Sequence, residues 1–244
     1  MAAGSEGGVP RRQVVRGAAW SVPAIVAASA VPAHAASIAC VWRRYTLDWT
    51  NYRNTASNPR WVDSAGGSEL IGAVPPSTGT SPTVSVTLTR SGDVNTTSAA
   101  ASYGDGVVKS PNATVTDWLA ISYGGSTTGA QSQTVQFSFG GARVRNVSFR
   151  ITDVDRATGW NDVIQLSSGG VATSGSTNLA GLGTAGPVTV ITSNDYSPGA
   201  AAATLTATWA AERTTGVSFT YSQSSINSSW AWVLVSDISF EACL

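Results

Sequence analysis

Past residue 36 this chain repeats one pattern: apolar side chains at every second position, in short runs separated by turn-forming residues. Val84-x-Val86-x-Leu88, Val135-x-Phe137-x-Phe139, Val147-x-Phe149-x-Ile151, Leu205-x-Ala207-x-Trp209 and Val217-x-Phe219-x-Tyr221 all alternate. A period of two places one set of side chains on one face of a pleated strand and their neighbours on the other. The longest run sets Trp230, Trp232, Leu234, Ile238 and Phe240 on one face, interrupted by Ser236, with Val233 and Val235 on the other. It predicts a strand whose middle is buried on both sides. Residues 41–50, 116–123, 160–166 and 187–192 are expected as further strands, and 55–82 and 91–114 as long loops. Gly66-Gly67, Pro75-Pro76, Gly124-Gly125, Gly140-Gly141, Gly169-Gly170 and Pro198-Gly199 punctuate the runs. No 3.6-residue stripe competes with them after residue 36. The expectation is an all-β fold: a single antiparallel β-sandwich of about ten strands.

Residues 1–35 are read as a processing segment and left out of the fold. Arg11-Arg12-Gln13-Val14-Val15-Arg16 precedes a weakly apolar stretch, Gly17 to Val31, and then Ala33-His34-Ala35. A charged start, an apolar middle and an A-x-A cleavage site make a signal peptide, and the pair Arg11-Arg12 resembles the twin-arginine export signal. Pro10 stands where that signal prefers Ser or Thr. The apolar stretch is Ala- and Gly-rich and broken by Pro23, a poor membrane span. The expected domain is residues 36–244, secreted or displayed on a bacterial surface, with the twin-arginine export machinery as its first partner. No transmembrane segment is expected in it.

Removing residues 1–35 also removes His34, the one histidine, and leaves 10 Arg and Lys109 against 13 acids, a net charge of about −2. With so little charge and no basic cluster, nucleic-acid binding is not expected. Histidine triads, His-type zinc sites and His proton shuttles are excluded as well, so the lean is away from an enzyme. A glycosidase running on two carboxylates stays open.

Two cysteines remain, Cys40 and Cys243. An even count in an exported chain favours a disulfide; the rival, a lipid anchor on Cys40, meets Ser37 where a lipobox prefers Leu. A bond between them would make the first and last strands antiparallel neighbours. A directly opposed cysteine pair would set Tyr45 against Ile238, Trp49 against Leu234 and Arg44 against Ser239, with Arg43 awkwardly opposite Phe240.

Asp153-Val-Asp155 and Asn161-Asp162 form the densest acidic cluster. If extended, Asp153 and Asp155 share a side-chain direction at the end of one strand, and Asp162 opens the next. Three such carboxylates offer hard oxygens to a structural Ca²⁺, although the spacing is not that of an EF-hand. The alternative is a hairpin whose acids pair with Arg150 and Arg156 or stay hydrated. No cofactor is required otherwise. Of the tryptophans after residue 36, Trp49, Trp209, Trp230 and Trp232 fit strand patterns and are expected in the core, whereas Trp61 and Trp160 fall in loops. Trp61 and Trp160 are therefore the candidate ligand-binding rings, and Trp160 adjoins the acids.

Val147-Ser-Phe-Arg-Ile-Thr-Asp-Val-Asp and Val235-Ser-Asp-Ile-Ser-Phe resemble phrases of uncharacterised bacterial exported β-sandwich domains. They echo jelly-roll carbohydrate-binding and surface-adhesin domains, in which a late Asp before an Ile-x-Phe strand end sometimes supports calcium; Asp237 stands in that kind of position. The resemblance implies a jelly-roll-like fold and a cell-envelope protein. The first expected function is non-catalytic binding of an envelope glycan or surface polymer. A carboxylate-dependent polysaccharide hydrolase and a purely structural surface domain are the alternatives.

Overall fold

A computed structural model describes residues 40–49, 69–93, 106–108, 118–123, 130–223 and 231–244. Arg11, Arg12, Trp61 and Trp230 lie outside the described residues. Sixteen strands are present: β1 (Arg43–Leu47), β2 (Glu69–Val74), β3 (Val84–Gly92), β4 (Gly106–Val108), β5 (Trp118–Tyr123), β6 (Gln131–Ser138), β7 (Arg143–Thr152), β8 (Arg156–Ala157), β9 (Trp160–Leu166), β10 (Val171–Thr173), β11 (Leu179–Ala180), β12 (Val188–Val190), β13 (Leu205–Trp209), β14 (Val217–Gln223), β15 (Ala231–Val235) and β16 (Ile238–Cys243). Ala201–Ala203 forms a 3₁₀ turn, Trp49 lies in another, and no helix among the described residues is long and apolar enough to cross a membrane.

The expected count of about ten strands is too low. Strands of two or three residues (β4, β8, β10, β11 and β12) are too short to show alternation. β2 and β4 lie inside stretches expected to be loops, and the longest alternating run is two strands, β15 and β16.

The strands form two sheets, with every pairing antiparallel. The first runs β1-β16-β7-β15-β5-β4, with β13 also pairing with β7 and β10 with β13. The second runs β11-β12-β9-β14-β6-β3-β2, with β8 on β9. The sheets pack face to face through the alternating residues. Phe149 of β7 meets Phe137 of β6 edge-on at 5.5 Å and Phe219 of β14 at 6.0 Å, and Trp49 lies 6.5 Å from Phe137. Each such ring removes about 150–250 Å² from water, so these cross-sheet contacts are the main apolar glue of the sandwich. The outward positions of β13 and β14 are Ser and Thr of intermediate exposure, which explains how the chain manages with few charges.

The turn Phe139–Ala142 shows how local chemistry sets the layers. Gly140 and Gly141 have φ of +59° and +80°, and the Ala142 N–H donates to the Phe139 carbonyl at 2.9 Å. Two successive left-handed residues reverse the chain tightly, which glycine does without a Cβ clash. β6 and β7 on either side belong to different sheets, so this turn is a corner between layers.

Cys40 and Cys243 are joined in a disulfide, and β1 and β16 are antiparallel neighbours. The register expected from a directly opposed cysteine pair is wrong by two residues: Tyr45 faces Phe240, Arg44 faces Glu241 and Arg43 faces Ala242. Cys40 lies three positions before Arg43, while Cys243 lies one past Ala242, so the bridge runs diagonally. A slip of two keeps every side chain on its face. Packing then decides, with Tyr45 stacked on Phe240 at 5.3 Å and 11° between the rings.

β15 and β16 lie end to end along one flank of β7. On its other side β15 is paired with β5, and β16 with β1. Trp49 closes the join between them: its indole N–H donates to the Ser236 carbonyl at 2.8 Å and its backbone N–H to Asp237 Oδ1 at 3.0 Å. Asp237 thus serves the strand join.

Candidate functional site

The acidic cluster is gathered into one cavity. Asp153, Asp155, Asp162 and Asp195, with Trp160, Trp232 and Ala231, line a space of about 350 Å³. Asp153 and Trp232 come from the first sheet, at the end of β7 and the start of β15. Asp155 and Asp162 come from the second sheet, on either side of the tight β8–β9 hairpin.

That hairpin turns at Thr158-Gly159, with Gly159 at φ +103°. It pairs Ala157 with Trp160 and Arg156 with Asn161. One step further, the Asp162 N–H donates to the Asp155 carbonyl at 3.0 Å and the Asp155 N–H donates to Asp162 Oδ2 at 3.1 Å. Two aspartates are therefore direct cross-strand neighbours, an arrangement that repulsion of like charges disfavours. Asp153 is not extended as expected. It has φ +67°, uncommon for a residue with a Cβ, and this ends β7.

Every donor to these carboxylates is neutral. The Trp160 indole N–H donates to Asp155 Oδ1 at 2.8 Å, and the Trp232 indole N–H donates to Asp153 Oδ2. Tyr221 Oη and Gln223 Nε2 donate to Asp162 Oδ1 at 2.8 and 2.5 Å. The expected alternative, pairing with Arg150 and Arg156, is not what the chain does: Arg150 lies over the Trp118 ring at 5.0 Å, and neither arginine bridges to these acids. Asp153 is only 5 % exposed, yet its Oδ1 has no hydrogen-bond partner. Such a buried acceptor costs about 1–3 kcal/mol.

The electrostatics follow from burial without a counter-charge. Burial pushes Asp153 up to about 8, helped by the charge of Asp155 and opposed by the Trp232 N–H. Burial pushes Asp155 up to about 6, against hydrogen bonds from Trp160 and with Asp162. Asp162, fully buried, is raised well above the ordinary carboxylate range by desolvation and then by Asp155.

The sequence-based candidates Asp153, Asp155, Asp162 and Trp160 thus meet in one place, Trp160 from the first position of β9 and not, as expected, from a loop. Trp232, expected in the core, lines the cavity instead, because the start of β15 stands where the two sheets part around it. Trp49 and Trp209 are core residues, both fully buried. Tyr221 and Gln223 were not anticipated. Gln223 is the β14 partner of Asp162 on β9, a neighbour relation that only the sheet order reveals. Asp195 follows Asn194, whose carbonyl accepts from the Arg156 N–H at 3.3 Å and ties this loop to the hairpin.

Among the described residues no three His, Cys, Asp or Glu side chains are grouped to hold a metal ion. Both oxygens of Asp162 already accept hydrogen bonds, from the Asp155 N–H and from Tyr221 and Gln223. A second, wider cleft of about 660 Å³ is lined by Trp118, Arg150, Asn178, Ser174, Ser176 and Thr206, with no carboxylate among its described residues. Searches against protein-family models, curated proteins and solved structures return no match to this chain.

Proposed function

We propose that this chain is an exported, non-catalytic, jelly-roll-like surface domain that binds an envelope glycan in the Asp–Trp cavity. The observation that carries the reading is the pairing of two indole rings with two carboxylates around about 350 Å³, within the size range of small-molecule pockets. Ring faces suit the C–H faces of sugars, carboxylate oxygens accept their hydroxyls, and Asp153 Oδ1 is an acceptor awaiting a donor. Export through the twin-arginine machinery and display at or beyond the bacterial surface rest on Arg11-Arg12 and the A-x-A site. A glycan array on the full-length chain, repeated with Trp160→Ala, tests it: retention of a glycan class that the variant loses supports the reading, and no retained glycan leaves a structural surface domain.

One observation favours a second reading, a carboxylate-dependent polysaccharide hydrolase. Asp153 at about 8 and Asp155 at about 6 hold opposite protonation states at neutral pH, as an acid and a base would. Release of reducing ends from a bound polysaccharide, abolished in Asp155→Asn, would establish it. No cofactor belongs to the binding reading. A structural Ca²⁺ at Asp153, Asp155 and Asp162 is tested beside it by melting in millimolar calcium and in chelator, where an unmoved melting temperature removes it.

A further inference from the structure

A neutral sugar leaves one property of the cavity unused. Four carboxylates line it and, among the described residues, no Lys, Arg or His does. The donors that reach Asp153, Asp155 and Asp162 are an indole, an amide or a phenol in every case, so no fixed cation among the described residues balances the charge these acids carry when ionised. Asp153 adds an acceptor that is buried, unpartnered and part of the cavity wall. Its left-handed backbone is the kind of local strain that concentrates at binding sites.

The complement of this wall is a group with positive charge and several N–H donors, mounted on a carbon skeleton that can lie against two indoles. Cations are attracted to tryptophan faces as well as to carboxylates. A bare metal ion matches less well. The space, about 350 Å³, is many times the share of one water, roughly 30 Å³, and four of the six oxygens of Asp153, Asp155 and Asp162 already accept N–H or O–H donors. We infer that the cavity binds an organic ammonium group. Resting on the glycan reading above, the natural ligand is then an amino sugar with a free amine, as in a de-N-acetylated glycan.

Calorimetric titration of the full-length chain at neutral pH and low salt, with a matched set of probes, tests this. The probes are a glucosamine oligomer, the N-acetylglucosamine oligomer of equal length, tetramethylammonium and CaCl₂. The glucosamine oligomer is expected to bind at least tenfold more tightly than its acetylated twin. Asp153→Asn, whose side chain tolerates the same left-handed backbone, should lose at least tenfold of that affinity. Asp195→Asn, on the exposed rim, should lose a smaller factor and covers the case in which Asp153→Asn does not fold. Equal binding of the two oligomers overturns the ammonium inference and leaves the glycan reading standing. Binding of tetramethylammonium but of neither oligomer supports the ammonium site and overturns the glycan reading. Binding of calcium alone, or of none of the four, overturns the ammonium inference.

Discussion

The indole N–H of Trp160 donates to Oδ1 of Asp155 at 2.8 Å, across a hairpin that sets Asp155 directly opposite Asp162. A cross-strand pair of carboxylates is kept in place by neutral donors. Trp232 holds Asp153 in the same way on the facing sheet. Ring and acid are locked together on both walls of the cavity, so a change to one of each pair is read by the other.

Removing the donor but keeping the ring isolates that coupling. The Trp160 hydrogen bond lowers Asp155, so Trp160→Phe should raise its titration midpoint above the starting value of about 6. Carboxyl-carbon NMR of the two proteins measures it. An unchanged or lower midpoint would show that the indole does not stabilise the charged acid.

Stability should fall as pH rises. Asp153 has a folded value of about 8 against an ordinary 3.8, and Asp155 about 6. The folded state therefore binds these protons more tightly than the unfolded chain does. Their contribution is complete below about pH 4 and is lost through about pH 8, at about 1.4 kcal/mol per pH unit of separation. Among the described residues, the titratable groups lining the cavity with Asp153 are Asp155, Asp162 and Asp195, and none of them is a cation that would offset the loss. Glu241, lowered by Arg145, acts with the opposite sign, but only below its ordinary 4.5. The melting temperature should decline from pH 5 to pH 8. Asp153→Asn should decline less and melt several degrees above wild type at pH 8. A wild-type curve that is flat or rises over this range contradicts the assignment.

How much of this was legible beforehand varies residue by residue. β13 begins and ends where its alternation placed it and β9 spans the expected residues 160–166, whereas β2, of similar length, falls inside an expected loop. The opposition of Asp155 and Asp162 was available in principle from the two-residue turn Thr158-Gly159. Tyr221 and Gln223 were not, because nothing local says that β14 lies beside β9. Asp195 sits in a loop, where no period operates. The register of β1 against β16 was misjudged because a disulfide needs only proximity, while stacking of Tyr45 on Phe240 fixes the alignment.

The bridge itself should matter for stability. In the loop-entropy picture, closing so long a loop is worth about 5 kcal/mol, less any strain. The double variant Cys40→Ser, Cys243→Ser should lose about 2–5 kcal/mol in urea unfolding. An unchanged midpoint would place the stabilisation of β1 wholly in its pairing with β16.

Gly216 opens β14 at φ +78°, and a Cβ there would lie 2.2 Å from the Phe137 carbonyl oxygen. Neither backbone can yield without disturbing the β14–β6 ladder. Gly216→Ala should destabilise by more than the roughly 0.4–1 kcal/mol that such a replacement gains at a compatible backbone position, read as a lower melting temperature. Wild-type stability in that variant would mean the two strands can move apart freely.

Export gives an independent check. Arg11→Lys with Arg12→Lys should trap the precursor in the cytoplasm, measured by fractionation. Undiminished secretion would assign the chain to the general secretory route.

The flank of β7 has a bearing on the order in which this chain can be completed. Residues 231–243 fill that flank, and β1 finds its neighbour only in β16. Until the ribosome has released that segment, β1 has no ladder to join and β7 lacks one of its two neighbours. The hydrophobic interior cannot close from the front of the chain backwards. The first sheet is therefore assembled only once residues 231–243 have emerged, from strands far apart in sequence, a topology that folds slowly. A cell making this protein must shield β7 and the first strand for the whole interval between their emergence and the arrival of residue 243.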